Sequence, residues 1–235
     1  METRRILKKK NLIIISKSLK QEQKKYNLKL SGGDTTNSNK VSFSVSTIGF
    51  SKNIIERNKA RLSDDIYITG NIGDSFLGLK IIKNNIKINS ELKKYFINQF
   101  YCPNLPFKIY KQIHKFANTS MDISDGLISD MNKLINEQNL SFEINISKIP
   151  ISKKLKIYLK KYNKQKNQYL FNGDDYQILF TASARKRSLI KSIAKKLNQK
   201  VTLIGKINQG NKKNSIKLDN KPINLTNFKG YSHKF

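Results

Sequence analysis

Acidic residues are scarce in this chain: 16 Asp and Glu stand against 46 Lys and Arg, and the formal net charge is +30. A charge of this size first suggests nucleic acid or an anionic membrane surface as a partner. The lysines, however, are spread along the whole chain and do not form one basic stripe. We therefore interpret the charge mainly as the Lys, Asn and Ile bias that an AT-rich coding sequence produces. Polyanion binding and a general attraction of anionic substrates stay open as alternatives.

The chain has one cysteine, Cys102, and two histidines, His114 and His233. A single cysteine excludes an intrachain disulfide, and without a recognisable export signal this favours a reducing, cytoplasmic setting. Two histidines make a zinc site or a Ser–His–Asp triad a poor explanation of any chemistry. The longest apolar run, 12–15, is far shorter than the roughly 20 residues of a membrane span, so we expect no membrane segment.

Strand and helix patterns alternate along the sequence, which predicts an α/β or α+β fold. A polar stretch near residues 58–64 predicts a domain boundary there, which gives domains of residues 1–62 and 63–235. The periodicity predicts helices over 6–26, 75–83, 91–101, 108–117, 153–161 and 185–198, and a further helix that opens near Gly126. It predicts strands over 28–30, 41–48, 65–69, 142–146, 169–171, 176–181, 201–204 and 215–218.

The few acidic residues include three tight clusters beside glycine or serine. They are Asp34, then Asp122 with Asp125, then Asp174 with Asp175. Asp is common in turns and helix caps, which is a sufficient explanation for any one cluster. Three clusters in so basic a chain favour metal and phosphate chemistry instead. The sequence has neither a P-loop nor the protein-kinase signatures, so this chemistry must depend on other residues.

Each cluster suits a different part of such a site. Gly32-Gly33-Asp34 is a turn in which a backbone can approach a ligand closely and a carboxylate can bind Mg²⁺. Asp122-Ile123-Ser124-Asp125-Gly126 enters a helix, and helix N-termini bind phosphate, although Ser124 or Asp125 can equally be a simple cap. Asp174 and Asp175 are adjacent, so one carboxylate can reach a cation or a positively charged ring while the other makes hydrogen bonds inward.

In this order and spacing, the clusters resemble the thiamine-monophosphate kinase family, within the superfamily of aminoimidazole ribonucleotide synthetase and selenophosphate synthetase. The resemblance runs from about Leu19 to Phe235. Its most specific parts are Met-Asp-Ile-Ser-Asp-Gly-Leu and Gly-Asp-Asp-Tyr-x-x-Leu-Phe-Thr. Further matches are Gly-Gly-Asp-Thr-Thr, Asp-Asp-Ile-Tyr-Ile-Thr-Gly with Gly73-Asp74, Ile204-Gly205-Lys206-Ile207, and Gly230-Tyr231-x-His233.

The resemblance implies a two-domain synthetase-like kinase fold and the ATP-dependent phosphorylation of thiamine monophosphate to thiamine diphosphate with several Mg²⁺ ions. No side chain is implied as a covalent catalyst, because positioning and metal electrostatics can serve phosphoryl transfer. The implied ATP contacts are Gly33, Asp34, Arg57 and Ser124. The implied metal ligands are Asp34, Asp122 and Asp125, and the implied substrate contacts are Asp174 and Tyr231.

The front of the family's sequence has no counterpart here, since residues 1–18 do not resemble it. We therefore expect residues 1–62 to be the remainder of the nucleotide- and metal-binding domain, and 63–235 to be the C-terminal α/β domain. Activity of this chain alone is expected to be impaired, and the family's homodimer is doubtful without the front strands. The alternatives are an inactive fragment of such a kinase and, less favoured, a basic nucleic-acid-binding module.

Overall fold

The computed structural model describes residues 9–36, 38, 40–84, 86–211, 213–218 and 221–223. The chain divides into two compact units, with the division between Lys52 and Asn53. Residues 53–62 belong to the second unit. Within it the Asn58 N–H donates to the Leu134 carbonyl at 2.8 Å, and Ala60 is 5% exposed. The predicted assignment of residues 1–62 and 63–235 to two family domains stays a prediction.

The first unit contains helix α1, Lys9–Tyr26, which has no buried residue. The predicted strands at 28–30 and 41–48 are wrong, because no described residue between them or within them adopts strand structure. Apolar and polar residues do alternate over 41–48, yet the apolar side chains of Val41, Phe43 and Val45 are 55%, 68% and 80% exposed. An extended segment needs a neighbouring strand for its backbone hydrogen bonds, and the period alone does not supply one.

The described residues of the second unit form a seven-stranded sheet in the order β2-β4-β1-β5-β3-β6-β7. Its neighbouring strands are antiparallel except for the parallel pair of β3 and β6. The strands are β1 (Asp65–Thr69), β2 (Thr119–Asp122), β3 (Leu140–Asn145), β4 (Ile178–Ala182), β5 (Val201–Gln209), β6 (Ser215–Leu218) and β7 (Lys221–Ile223). The helices are α2 (Asp74–Asn84), α3 (Ser90–Tyr101), α4 (Leu127–Leu134), α5 (Lys153–Lys161), α6 (Asn167–Leu170) and α7 (Arg187–Lys196). The predicted mixed α/β class is confirmed.

Strand β1 is the centre of the core, because all five of its residues are buried. Ile66 and Ile68 belong to the larger apolar cluster, which also contains residues of α2, α3, α4 and α5. Tyr67 belongs to the smaller cluster on the other face, with residues of α7 and of the short 3₁₀ turn Ile113–Lys115. Both faces of the sheet are therefore covered.

Two further predictions fail locally. The sequence predicts a strand over 169–171, but Tyr169 and Leu170 lie in the short helix α6. A run of three buried apolar residues cannot distinguish a strand from a helix by period. The predicted helix at 108–117 is instead a series of turns that ends in the 3₁₀ turn Ile113–Lys115. Its apolar side chains Ile109, Ile113 and Phe116 are buried at helical spacing without a continuous helix.

Candidate functional site

The end of β2 and the start of β4 bring the second and third acidic motifs side by side. In this antiparallel pair Asp122 lies opposite Ile178. Beyond the ladder, the backbones stay bonded. The Asp174 N–H donates to the Ser124 carbonyl at 2.9 Å, and the Tyr176 N–H donates to the Ile123 carbonyl at 2.9 Å. Two motifs about fifty residues apart in the chain therefore form one connected surface.

Glycine is required where the two motif loops touch. A Cβ on Gly173 would lie 1.7 Å from the Ser124 carbonyl oxygen, and a Cβ on Gly126 would lie 2.3 Å from that of Phe171. Gly126 also has a φ of 122°, which side-chain-bearing residues rarely adopt. Each loop thus has a glycine that allows its backbone to pack directly against the other loop.

The loop at 124–126 is held by Asp130, a buried residue on the first turn of α4. Its Oδ2 atom accepts hydrogen bonds from the backbone N–H groups of Ser124, Asp125 and Gly126, each at 3.0 Å. Burial raises the pKa of Asp130, while these N–H groups and the neighbouring Lys133 lower it. Asp130 satisfies three donors at the entry to the helix and so fixes the backbone path that carries Ser124 and Asp125.

Lys133 lies one turn further along α4 and binds two carboxylates. Its Nζ atom donates to Asp125 Oδ2 and lies 3.2 Å from Asp130 Oδ1. The Asp125 and Lys133 side chains are 35% and 39% exposed, whereas that of Asp130 is fully buried. The bond to Asp125 is the largest cause that raises the pKa of Lys133. The positively charged Lys133 ammonium group therefore contacts Asp125, which is one of the predicted metal ligands.

The carboxylates of Asp122, Asp125 and Asp174 form what we call the acidic corner. Burial raises the pKa of Asp174, the negative charge of Asp125 raises it further, and Lys83 opposes both effects. Tyr176 is also affected, because burial and then the charges of Asp174, Asp122 and Asp125 raise its pKa. Asp125 and Asp174 therefore lie near each other, and all three carboxylates lie near Tyr176. Such crowding of negative charge disfavours ionisation unless a cation is present.

Asp175 points away from the acidic corner into the protein. It is 4% exposed, and its Oδ2 accepts a hydrogen bond from the Gly73 N–H at 2.9 Å. Burial raises its pKa well above the ordinary value, and the neighbouring Asp74 adds to this. Asp74 is itself held by Ser152 Oγ at 2.8 Å and by the Tyr95 hydroxyl at 2.9 Å. The expectation that Asp174 and Asp175 face different surroundings, one of them inward, is thus confirmed.

Asp74 and Asp175 line a cavity of about 250 Å³. Its other lining residues are almost all polar and uncharged, and most of them come from the turn before α2 and from the end of α3 and the residues after it. They are Gly70, Asn71, Ser75, Tyr95, Gln99, Pro103, Asn104, Gln177 and Gln199.

The remaining predicted site residues belong to the first unit, precede β2 in the second unit, or lie outside the described residues. Gly33 and Asp34 belong to the first unit, where both are exposed. There the Thr35 N–H donates to Asp34 Oδ1 at 2.7 Å. Arg57 is exposed and follows Glu56, whose carbonyl accepts the Thr119 hydroxyl at 2.6 Å, at the start of β2. Tyr231 lies outside the described residues.

The donor set suits a hard cation but does not form a ready-made cage. Within the part of the chain that the structure describes, no three His, Cys, Asp or Glu side chains are arranged to hold a metal ion. Asp122 and Asp125, however, present carboxylate oxygens in one turn, and Mg²⁺ prefers oxygen ligands. These two carboxylates would fit Mg²⁺ as a partial set of ligands, and the Lys133 ammonium group pairs with one of them, Asp125.

Sequence reasoning missed Asp130 and Lys133, although one signal for Asp130 was present. An acidic residue in the first turn of a helix that can reach back to preceding N–H groups is typical of a reciprocal cap. Lys133 had no comparable signal, because it is one of many lysines in a basic chain. The inward role of Asp74 also depends on distant residues such as Ser152, which the sequence alone does not bring together.

Comparison with known families and proteins gives consistent matches. Residues 108–217 match the model of the AIR synthase related protein, C-terminal domain. The thiamine-monophosphate kinase of Aquifex aeolicus is 37% identical over 157 residues, which are 66% of this chain and 51% of that protein. The thiamine-monophosphate kinase of Haemophilus influenzae is 34% identical over 226 residues, which are 93% of this chain and 67% of that protein.

A solved structure of AaThiL complexed with AMPPCP and TMP has a similar fold. The TM-score is 0.63 at 32% identity, and the match covers 77% of this chain and 54% of that chain. This chain therefore spans between about half and two thirds of the length of these relatives. No helix among the described residues has the length and apolar character needed to cross a membrane.

Proposed function

The chain belongs to the thiamine-monophosphate kinase family, and we propose that it takes part in the ATP-dependent phosphorylation of thiamine monophosphate to thiamine diphosphate. The observation that carries this proposal is the acidic corner. Its two motifs match the most specific parts of the family pattern, and their backbones are bonded to each other at Ser124 and Asp174. A surface with converging carboxylates can hold the Mg²⁺ that would screen the phosphates of ATP and thiamine monophosphate.

We assign the roles that the family resemblance implies. Gly33, Asp34, Arg57 and Ser124 contact ATP. Asp34, Asp122 and Asp125 supply oxygen ligands to Mg²⁺, and Asp174 and Tyr231 contact the thiamine moiety. When bound, Mg²⁺ supplies positive charge that screens the phosphates and stabilises the charge that develops during transfer.

The chain's own residues would position the substrates and need not bond to them covalently. Asp130 fixes the loop that presents Ser124 and Asp125, and Gly173 fixes the distance from that loop to Asp174. The partly buried Asp174 carboxylate suits the positive thiazolium ring, because opposite charges attract strongly where water is partly excluded. A cationic ring beside Asp174 would also favour its ionised form, against the effect of Asp125.

The setting of the protein follows the same reasoning. We propose a cytoplasmic enzyme with thiamine monophosphate and ATP as partners, without a membrane partner, and with nucleic acid an improbable one. The family's homodimer is a proposal for the whole protein. Residues 1–62 belong in this proposal to the nucleotide- and metal-binding domain, and residues 63–235 form the C-terminal domain. Because the chain spans only part of the length of its relatives, the point to test is whether this chain is active without any other polypeptide.

The test is to incubate the purified chain with ATP, Mg²⁺ and thiamine monophosphate, and to measure thiamine diphosphate by fluorescence after oxidation. We expect slow turnover that falls about 100-fold or more in Asp122→Asn and Asp125→Asn, since the loss of electrostatic stabilisation at the phosphoryl group has effects of that size. Glu137→Gln, which removes an exposed carboxylate of the second unit, is the matched control and should leave the rate unchanged.

Magnesium-dependent binding of a non-hydrolysable ATP analogue is the second measurement. Binding without turnover would identify an inactive member of the family. Absence of both turnover and magnesium-dependent nucleotide binding would reject the proposed function.

A further inference from the structure

Lys133 is the partner of the Asp125 carboxylate. Among the described residues no other basic side chain lies within ion-pair distance of Asp125, and no other donor bonds to its carboxylate. Lys83 affects the charge of Asp174 but forms no ion pair within the described structure. Among the described residues, Lys133 is thus the basic side chain that forms an ion pair with the acidic corner, and it does so at Asp125, a residue assigned to the metal.

The second bond of Lys133, to the buried Asp130, explains why the lysine lies on this side of α4 but not why it also contacts Asp125. Asp130 already accepts three backbone N–H groups through Oδ2, and Lys133 reaches only the other oxygen, Oδ1, at 3.2 Å. Lys133 also lies in the last turn of α4, where a positive charge is mildly favourable at any orientation of the side chain. Neither effect requires the ammonium group to contact Asp125.

We propose that Lys133 competes with the divalent cation for Asp125, so that metal binding displaces the lysine ammonium from this carboxylate. The inference rests on the proposed function, because it takes Asp125 as a metal ligand. A carboxylate oxygen that carries a lysine ammonium cannot offer the same lone pair to a metal ion. Lys133 therefore offsets one negative charge of the acidic corner without metal and sets the metal concentration at which Asp125 becomes available.

The first experiment measures the affinity of the full chain for Mn²⁺, used as the probe metal, by the electron paramagnetic resonance signal of the free ion. Exposed or half-exposed ion pairs contribute little energy, so we expect Lys133→Met and Lys133→Gln to bind Mn²⁺ roughly three- to fivefold more tightly. Lys83→Met is the matched control: it removes one positive charge near Asp174 but no ion pair with Asp125, and should change the affinity less than twofold, as expected for charges that solvent screens.

The second experiment detects displacement directly. The chain is treated briefly with an amine-acylating reagent with and without Mn²⁺, and the labelling of each lysine is measured by mass spectrometry. Ion pairing protects Lys133, so its labelling should rise when Mn²⁺ is added, while that of Lys83 stays constant. A purely electrostatic effect of the lysine charge would tighten metal binding in the variants without this change in labelling.

Unchanged or weaker Mn²⁺ affinity in both Lys133 variants would overturn the inference, as would labelling of Lys133 that does not rise with metal. Absence of Mn²⁺ binding in every variant would overturn it as well. Failure of the proposed function is recognised separately, by the assay for thiamine diphosphate and nucleotide binding. Thermal unfolding of each variant verifies that it is folded, and Lys133→Gln keeps a hydrogen-bond donor in case Lys133→Met does not fold.

Discussion

Asp130 connects the backbone of the acidic loop to helix α4. Its Oδ2 atom is the shared acceptor of three consecutive N–H groups, at residues 124–126. The Gly126 N–H is buried and the other two are partly buried, so water replaces the lost acceptor poorly and each lost bond costs more than an average surface contact. The side chain thereby determines the geometry of the three residues that precede the helix.

We expect Asp130→Ala to lower the free energy of unfolding by about 3 kcal/mol, because it leaves one buried and two partly buried backbone N–H donors without an acceptor. Urea unfolding without added metal measures the change. Asp122→Ala, which removes an exposed carboxylate of the same motif, should change it by less than about 0.5 kcal/mol. Equal unfolding midpoints for Asp130→Ala and the parent chain would contradict this role.

At the scale of single residues, the sequence predicted the chemical types well and the contacts poorly. Asp122, Ser124, Asp125 and Asp174 do lie together, because short motifs at a strand end and a helix start carry their own local geometry. The residues that hold these side chains in place could not be predicted. Lys133 reaches Asp125 from eight residues away through a helix, and one lysine among so many gives no signal.

At the scale of elements, predictions succeeded where both local pattern and long-range pairing agree. Strand β1 was predicted to the residue, and the structure pairs it on both sides, with β4 and with β5. Residues 41–48 have an equally regular alternation, but no strand pairs with them among the described residues. The alternation of apolar and polar residues along a strand is a local property of the sequence. Its hydrogen-bond partners come from distant segments and cannot be read from that alternation.

The turn before α2 and the loop before β4 are joined through the buried carboxylate of Asp175, which accepts the Gly73 N–H. Its folded-state pKa lies well above the ordinary 3.8. The folded protein therefore holds the proton more tightly than the unfolded chain does. This contribution to stability is complete below about pH 3.8 and is lost as the pH rises through the folded-state pKa.

Asp175→Asn should remove this pH dependence, since an amide cannot ionise and its oxygen can still accept the Gly73 N–H. We expect the free energy of unfolding of the parent chain, minus that of Asp175→Asn, to fall as the pH is raised above about 4. Urea unfolding over a pH series measures it. In an Asp74→Asn background the fall should be smaller, because the charge of Asp74 contributes to the raised pKa. A difference that increases with pH would refute this explanation.

At the scale of the whole molecule, the net charge of +30 opposes the compact state, because positive charges repel one another across the surface. Few of these charges are neutralised in ion pairs within the described residues. The amino-acid composition predicts this charge repulsion directly. The order of the seven strands could not be predicted, since it depends on pairings between segments far apart in the chain.

Salt should therefore stabilise the protein. Between about 0.1 and 1 M NaCl the Debye length falls from about 10 to 3 Å, and we expect the free energy of unfolding to rise by roughly 1 kcal/mol as repulsion is screened. Urea unfolding at the two salt concentrations measures this. The double variant Lys191→Glu with Lys195→Glu, on the exposed side of α7, should gain less from salt. If salt lowered the stability of the parent chain, self-repulsion would not be the dominant effect.

The lone thiol gives the molecule a ready attachment point. Cys102 is exposed, and it follows α3 with its backbone N–H bonded to the Asn98 carbonyl. Its neighbours Pro103 and Asn104 line the cavity that holds Asp74 and Asp175. A maleimide fluorophore would therefore react at one position without any engineered substitution, and its emission would report changes beside the two inward-facing carboxyls.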